Sequence, residues 1–196
     1  MVALAKTALV LMDFQRGIVD SLAQSGSGEA VKAARLALDA AREGAMPVIH
    51  VVVQFRPDYV DISERNKRLA GVRASGRLKE TDAASSIVDE LAPKAGEPVV
   101  VKRRFSALAY TDLSPLLRSL DIDHLVMAGL STTGVILSTV RAGADEDYRM
   151  TVLSDACADP DLDLHRILLD KVLSTQADIV SAAEFARTAR SRSQAD

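Results

Sequence analysis

The chain holds one cysteine, Cys157, in 196 residues, so no intramolecular disulfide can form, and a reducing compartment fits this usage. It has no basic excess. Its 24 Lys and Arg against 27 Asp and Glu give a formal net charge of −3, whereas nucleic-acid binders carry a strong basic bias. No nucleic-acid partner is expected. Apolar runs long enough to cross a bilayer are missing too. The apolar opening from Met1 to Met12 is broken by Lys6, is too short to span and has no convincing cleavage site. It reads as a first strand with a short lead-in, and a soluble, cytoplasmic protein without a membrane partner is expected. There is no phosphate loop of the GxxxxGK[ST] kind, no GxGxxG, no internal repeat and no low-complexity tract. His50, His124 and His165 lie scattered without ligand spacing, so neither a metal nor another cofactor is expected.

What is present is a rhythm. At 48% hydrophobic, the chain suffices for one sizeable core and one domain spanning 1–196. Short apolar runs alternate with stretches of helical period, as in βαβ units. The expected strands are Thr7–Met12, Pro47–Val53, Pro98–Val101, Leu125–Ala128, Met150–Leu153 and Ile179–Val180. Several are nearly continuous Val, Ile and Leu, as strands covered on both faces are. Helices are expected over Gly28–Arg42, Ser85–Leu91, Ser114–Leu120, Thr132–Asp147 and Leu162–Leu173. The result is a doubly wound α/β fold. Residues 56–81 break the rhythm with dense charge, as a lid, a binding loop, a disordered tract or a solvated loop with a short helix would. The polar tail Arg187–Asp196 is expected to fray.

Strand ends carry the chemistry in such folds. The first delivers Asp13, where partial desolvation raises a carboxyl pKa and a nearby ammonium lowers it. An Asp there also serves as a helix cap or turn residue. The second delivers Lys102 in Lys102-Arg103-Arg104, which equally reads as a solvated basic turn. The third opens into Gly129-Leu130-Ser131-Thr132-Thr133-Gly134-Val135, small residues leading to a helix whose first N–H groups suit a carboxylate or an oxyanion. A tight turn capped by Ser or Thr has the same composition. None of these ends supplies a nucleophile.

Taken together, Leu11-Met12-Asp13-Phe14-Gln15, Val101-Lys102-Arg103-Arg104-Phe105-Ser106-Ala107 with Thr111 and Leu113, Gly129-Leu130-Ser131-Thr132 with Thr139, and Asp147-Tyr148-Arg149-Met150-Thr151-Val152 before Ser154-Asp155-Ala156 resemble the isochorismatase-like (cysteine hydrolase) superfamily from about Thr7 to Glu184. The resemblance implies a Rossmann-like, three-layer α/β/α fold with an open six-stranded parallel sheet. It also implies a homo-oligomer (dimer or tetramer), a small-molecule substrate bound at the strand ends, and a cis peptide at Leu130–Ser131. Most such enzymes are amidohydrolases with an Asp–Lys–Cys triad. Their Cys lies six residues after the loop's first Gly and four before the helix Thr, and both counts land on Val135. Val has no nucleophilic atom. Cys157 follows a different strand and reads as a small buried hydrophobe. Gln54-Phe55-Arg56-Pro57-Asp58 lacks the Asp and His metal ligands of the nicotinamidase branch.

True isochorismatases of the superfamily also lack the Cys. They hydrolyse a vinyl ether after protonation by the Asp, with a Gln just beyond the second strand. They have Gly at the Val135 position and an aromatic where Ser131 stands. The leading expectation is therefore a hydrolase without a covalent intermediate, acting on a small anionic molecule, with an isochorismate-type vinyl ether as the best single candidate. Asp13 and Lys102 are the expected catalytic pair. Gln54, Gln15, Arg56, Phe105, Leu130, Ser131, Gly134 and Val135 are the expected substrate contacts. The rival from another class is a catalytically silent member that binds a metabolite or a protein. A third reading, an amidohydrolase using Cys157, requires a thiolate far from the family position.

Overall fold

β1 (Thr7–Met12) lies at the centre of a six-stranded parallel sheet of order β3-β2-β1-β4-β5-β6. The other strands are β2 (Val48–Val53), β3 (Val99–Lys102), β4 (His124–Leu130), β5 (Arg149–Ala158) and β6 (Asp178–Val180), with β2 and β4 flanking β1. This is a computed structural model, describing residues 6–193 and only the backbone of 191–193. The lead-in before Lys6 and the last three residues of the polar tail lie outside the described residues. Leu9 pairs with Val48 and Val126, and every pairing in the sheet is parallel. Alternation along β1 divides the core. Leu9 and Leu11 face α2 (Ser27–Glu43) and a C-terminal helix, while Ala8, Val10 and Met12 face the other layer. Ala30, Ala34, Ala37 and Ala41 keep the inner face of α2 small, so the helix lies close against the sheet.

The structure departs from the expected elements at Ser85–Leu91, within the two helical stretches that begin at Thr132 and Leu162, and in the tail. Ser85–Leu91 forms only single 3-10 turns, because its backbone is already engaged. Val88 N donates to Phe14 O, Arg16 N donates to Ser86 O, and the Gln15 amide donates to Ser85 O. The strand-one exit thus continues into α1 (Arg16–Ser21), a short helix with no apolar period to announce it. Within 56–81 the charged stretch contains α3 (Lys67–Ser75), capped by the Asn66 side chain on Leu69 N and ended by left-handed Gly76. Beyond it come α4 (Leu113–Ser119) and α5 (Leu137–Asp145), the latter preceded by a wide i→i+5 turn over Thr132–Ile136. α6 (Leu162–Ile167) likewise widens over Leu168–Val172. The tail is helical rather than frayed as far as it is described: α7 (Ala182–Ser193) buries Phe185, Ala186 and Ala189 against α2. No helix among the described residues is long and apolar enough to cross a membrane.

At the N-terminal end of the sheet, Arg42 from α2 makes a two-pronged pair with Glu97, 2.7 and 2.8 Å, just before β3. The same carboxylate faces His50 of β2 at 3.2 Å and accepts Lys94 N–H. The Arg42 guanidinium, with these other donors, holds the Glu97 carboxyl down to about 2. Burial keeps His50 below the usual imidazole range, hence neutral, so its N–H donates to the carboxylate. A depressed carboxylate stabilises the fold fully above its unfolded pKa and ceases to do so as pH falls toward the folded one. Glu97→Gln should therefore lower the thermal midpoint at pH 7, and that difference from the wild type should shrink steadily between about pH 4.5 and pH 2. Thermal melts across that range provide the check.

Candidate active site

The winding of the chain reverses between β1 and β4. Strands β1, β2 and β3 step away in one direction and β4, β5 and β6 in the other, which opens a crevice beyond the two central strand ends. Asp13 stands at that point. Its N–H continues the ladder to Val51 O, and its backbone then turns left-handed at φ 60°, a conformation that Asp tolerates better than most residues. Lys102 ends β3, in register with Val53 of β2. A whole strand thus separates the two backbones, about 10 Å at ordinary strand spacing, and only a long side chain reaches across. Lys102 Nζ meets Asp13 Oδ2 at 2.9 Å and donates also to Arg104 O at 3.1 Å. Both residues are almost wholly buried, at 2% and 4% exposed. Burial pushes the Asp13 carboxyl above the ordinary carboxylate range, and the ammonium, pulling it down, only partly offsets this. The second oxygen, Oδ1, is buried with no hydrogen-bond partner among the described residues.

The β4 end forms the opposite wall. Gly129 has no room for a side chain. A Cβ there would sit 2.8 Å from Met12 O and 3.3 Å from Val135 Cγ1, so glycine permits β1 and the following turn to approach. The Leu130–Ser131 peptide is cis. In the wide turn that follows, Ile136 N donates to Ser131 O. Asp159, 2% exposed at the end of β5, fastens this turn from outside: its Oδ2 accepts Thr133 N at 2.7 Å and Thr133 Oγ1 at 2.6 Å. Thr132 Oγ1 lies 2.7 Å from His165 Nδ1. Thr139 Oγ1 accepts Ala107 N at 2.9 Å and so draws the Phe105-Ser106-Ala107 segment back over the strand ends.

These walls enclose a cavity of about 800 Å³. Among the expected site residues, Asp13, Lys102, Phe105, Leu130, Ser131, Gly134 and Val135 line it together. Gln15, Gln54 and Arg56 do not. Gln15 is fully buried, its amide donating to Val53 O and Ser85 O and accepting Val53 N, so its polar atoms serve the backbone. Gln54 donates to Ser85 O, and Arg56 pairs with Asp61 on the surface. In their place stand residues that the sequence did not single out: Phe55 from the β2 end, Arg77 after α3, and Arg104. Cys157 pairs in register with Gly129 but belongs to the apolar core, where burial pushes its thiol up to about 12. It is absent from the cavity wall. Among the described residues, no three His, Cys, Asp or Glu side chains gather as metal ligands would.

Removing one partner of a buried ion pair strands the other. Lys102→Met should destabilise the fold by about 3–5 kcal/mol at pH 8. It should also raise the Asp13 pKa further, and a raised carboxyl costs more stability as pH climbs from the unfolded toward the folded value. The stability gap to the wild type in urea titrations should accordingly widen between pH 4 and pH 8. A gap constant with pH would mean that the Asp13 charge does not load the fold.

A model of the isochorismatase domain matches residues 7–184. Maleamate amidohydrolase of Pseudomonas putida is 29% identical over 179 residues, covering 90% of this chain and 83% of that protein. Ureidoacrylate amidohydrolase RutB of Serratia proteamaculans is 32% identical over 171 residues, covering 77% and 69%. Two solved structures superpose closely. A cysteine hydrolase from Pseudomonas syringae pv. phaseolicola has TM-score 0.86, 26% identity and coverage of 95% and 93%. N-carbamoylsarcosine amidase from Thermoplasma acidophilum has TM-score 0.73, 26% identity and coverage of 90% and 96%. With the family model covering most of its length and the solved structures matching its fold, the chain belongs to the isochorismatase-like hydrolase family.

Proposed function

We propose that this protein hydrolyses a small anionic molecule by acid–base chemistry at Asp13, without a covalent intermediate. The observation that carries the reading is the buried Asp13–Lys102 pair opening on a cavity whose β4 wall presents Val135. We read Val135, by its spacing from Gly129 and Thr139, as standing where the family's cysteine stands. The similar amidohydrolases lend the hydrolytic class. Thioester chemistry would need a thiolate in the cavity, and the one thiol of this chain lies in the core at about 12.

An isochorismate-type vinyl ether suits these groups. Asp13, raised by burial, gives its proton to the terminal enol-ether carbon. The double-bond electrons form the new C–H bond and leave an oxocarbenium ion, which the regenerated carboxylate stabilises. Water then adds to the cationic carbon and loses a proton. The hemiketal collapses to a ketone and an alcohol. Lys102 keeps the carboxylate form accessible between turnovers, so the acid can be reset. Phe105, Leu130 and Val135 exclude bulk water around the reacting carbon.

Asp13→Asn should lower turnover of such a vinyl ether by about 10²–10⁴-fold, read as release of the 2-oxo acid. Cys157→Ser should leave the rate unchanged. The wild-type kcat should fall as pH rises through the elevated Asp13 pKa, because the donor must be protonated. Undiminished turnover by Asp13→Asn, or amide hydrolysis that depends on Cys157, would overturn the reading. So would the absence of any Asp13-dependent turnover across vinyl ethers and amides.

A further inference from the structure

We propose that the cavity selects substrates with two anionic groups, at least one of them held by Arg104, Arg68 and Arg77 rather than by the Asp13–Lys102 pair. The inference rests on the reading of this cavity as a substrate site, though not on the chemistry performed there. Charge in the wall is lopsided. Lys67, Arg68, Arg77, Lys102 and Arg104 face a single acid, Asp13, and Lys102 is already paired with it. Four formal positive charges therefore remain in a chain whose net charge is −3.

Nearby carboxylates do not neutralise them. Asp61 takes Arg56 and Arg103, Glu80 also faces Arg103, and Glu64 takes Arg73. All of these pairs lie outside the cavity wall. None of Lys67, Arg68, Arg77 or Arg104 has an ion-pair partner among the described residues; Arg65, also unpaired, is not part of the wall. Arg104 is the most telling. It is half-buried, and only its Nη1 is engaged, on the Asp61 carbonyl at 3.2 Å and the Arg103 carbonyl at 2.5 Å. A partly desolvated guanidinium with free N–H groups favours a two-pronged carboxylate or phosphate oxygen pair. Lys67 and Arg68 add to this, because they open α3 with no acid in its first turn, where the helix dipole is already positive. The same wall carries the apolar side chains of Val53, Phe55, Leu69, Val72, Phe105 and Leu130. The complementary ligand combines anionic groups with a hydrocarbon or unsaturated body.

The probe is a ladder of linear α,ω-dicarboxylates from succinate to suberate, each compared with its monomethyl ester by titration calorimetry on the full chain. At low ionic strength, at least one dicarboxylate should bind about tenfold tighter than its monoester, with the advantage shrinking as salt rises. Arg104→Gln should abolish that advantage while leaving the monoester affinity in place. Arg68→Gln and Arg77→Gln, at exposed positions where folding is not at stake, should each reduce it. Equal affinity for diacid and monoester at every length, no binding by either, or an advantage that survives all three substitutions would overturn the proposal. Binding is read without turnover, so a failure of the acid–base mechanism and a failure of the two-anion site give different results.

Discussion

The ion pair between Asp13 and Lys102 is the constraint around which the strand ends are arranged. Its partners are carried by strands that are not neighbours, and β2 lies between them. Holding the ammonium 2.9 Å from the carboxylate therefore fixes the height of β3 against β1, a register that parallel ladders between Val-rich strands would leave to hydrophobic packing alone. A buried pair of this kind is not a source of stability in itself, since desolvation consumes most of the Coulombic gain. Its retention in a wall otherwise built of Val53, Phe55, Phe105, Leu130 and Val135 is the strongest physical reason to read the cavity as chemical rather than as a packing defect.

The β4 side complements it by rigidity. Backbone amides and small side chains in a loop are useful to a substrate only if the loop keeps one shape. Asp159 anchors Thr133, Thr139 anchors Ala107, and Gly129 lets β1 pass within contact distance. Asp159 and Gly129 thus fix the turn, and Thr139 fixes the Phe105-Ser106-Ala107 segment beside it. Val135 is packed into this frame at 2% exposure, which leaves a closed apolar surface opposite the acid.

The architecture was legible because buried parallel strands are nearly continuous apolar runs, as β1, β2 and β4 are, while shorter apolar runs mark β3, β5 and β6. The edges were less so: β5 continues to Ala158 through polar Ser154 and Asp155, which no apolar pattern marks. Asp13 and Lys102 were legible because strand ends in this topology converge. Gln15 and Gln54 were not, since an amide side chain looks the same in sequence whether it meets a ligand or, as here, the backbone of Val53 and Ser85. The same limit applies to the charged stretch 56–81. Its arginines are alike in sequence, and only the fold separates Arg56 and Arg73, which turn out to carboxylates, from Arg68 and Arg77, which turn in to the cavity. Asp159 escaped notice because it reads as an ordinary post-strand Asp, and its two bonds to Thr133 span 26 residues.

Burial and charge pull Asp13 in opposite directions, and the sign of each matters for a proton donor. Burial raises the Asp13 pKa, whereas the Lys102 ammonium favours the anion and so opposes it. A ligand that displaces water from around Asp13 deepens that burial and so favours the protonated form in which the group can act as an acid. Lys102 keeps this swing bounded, because its ammonium favours the return to the anion from which the acid is reset between cycles.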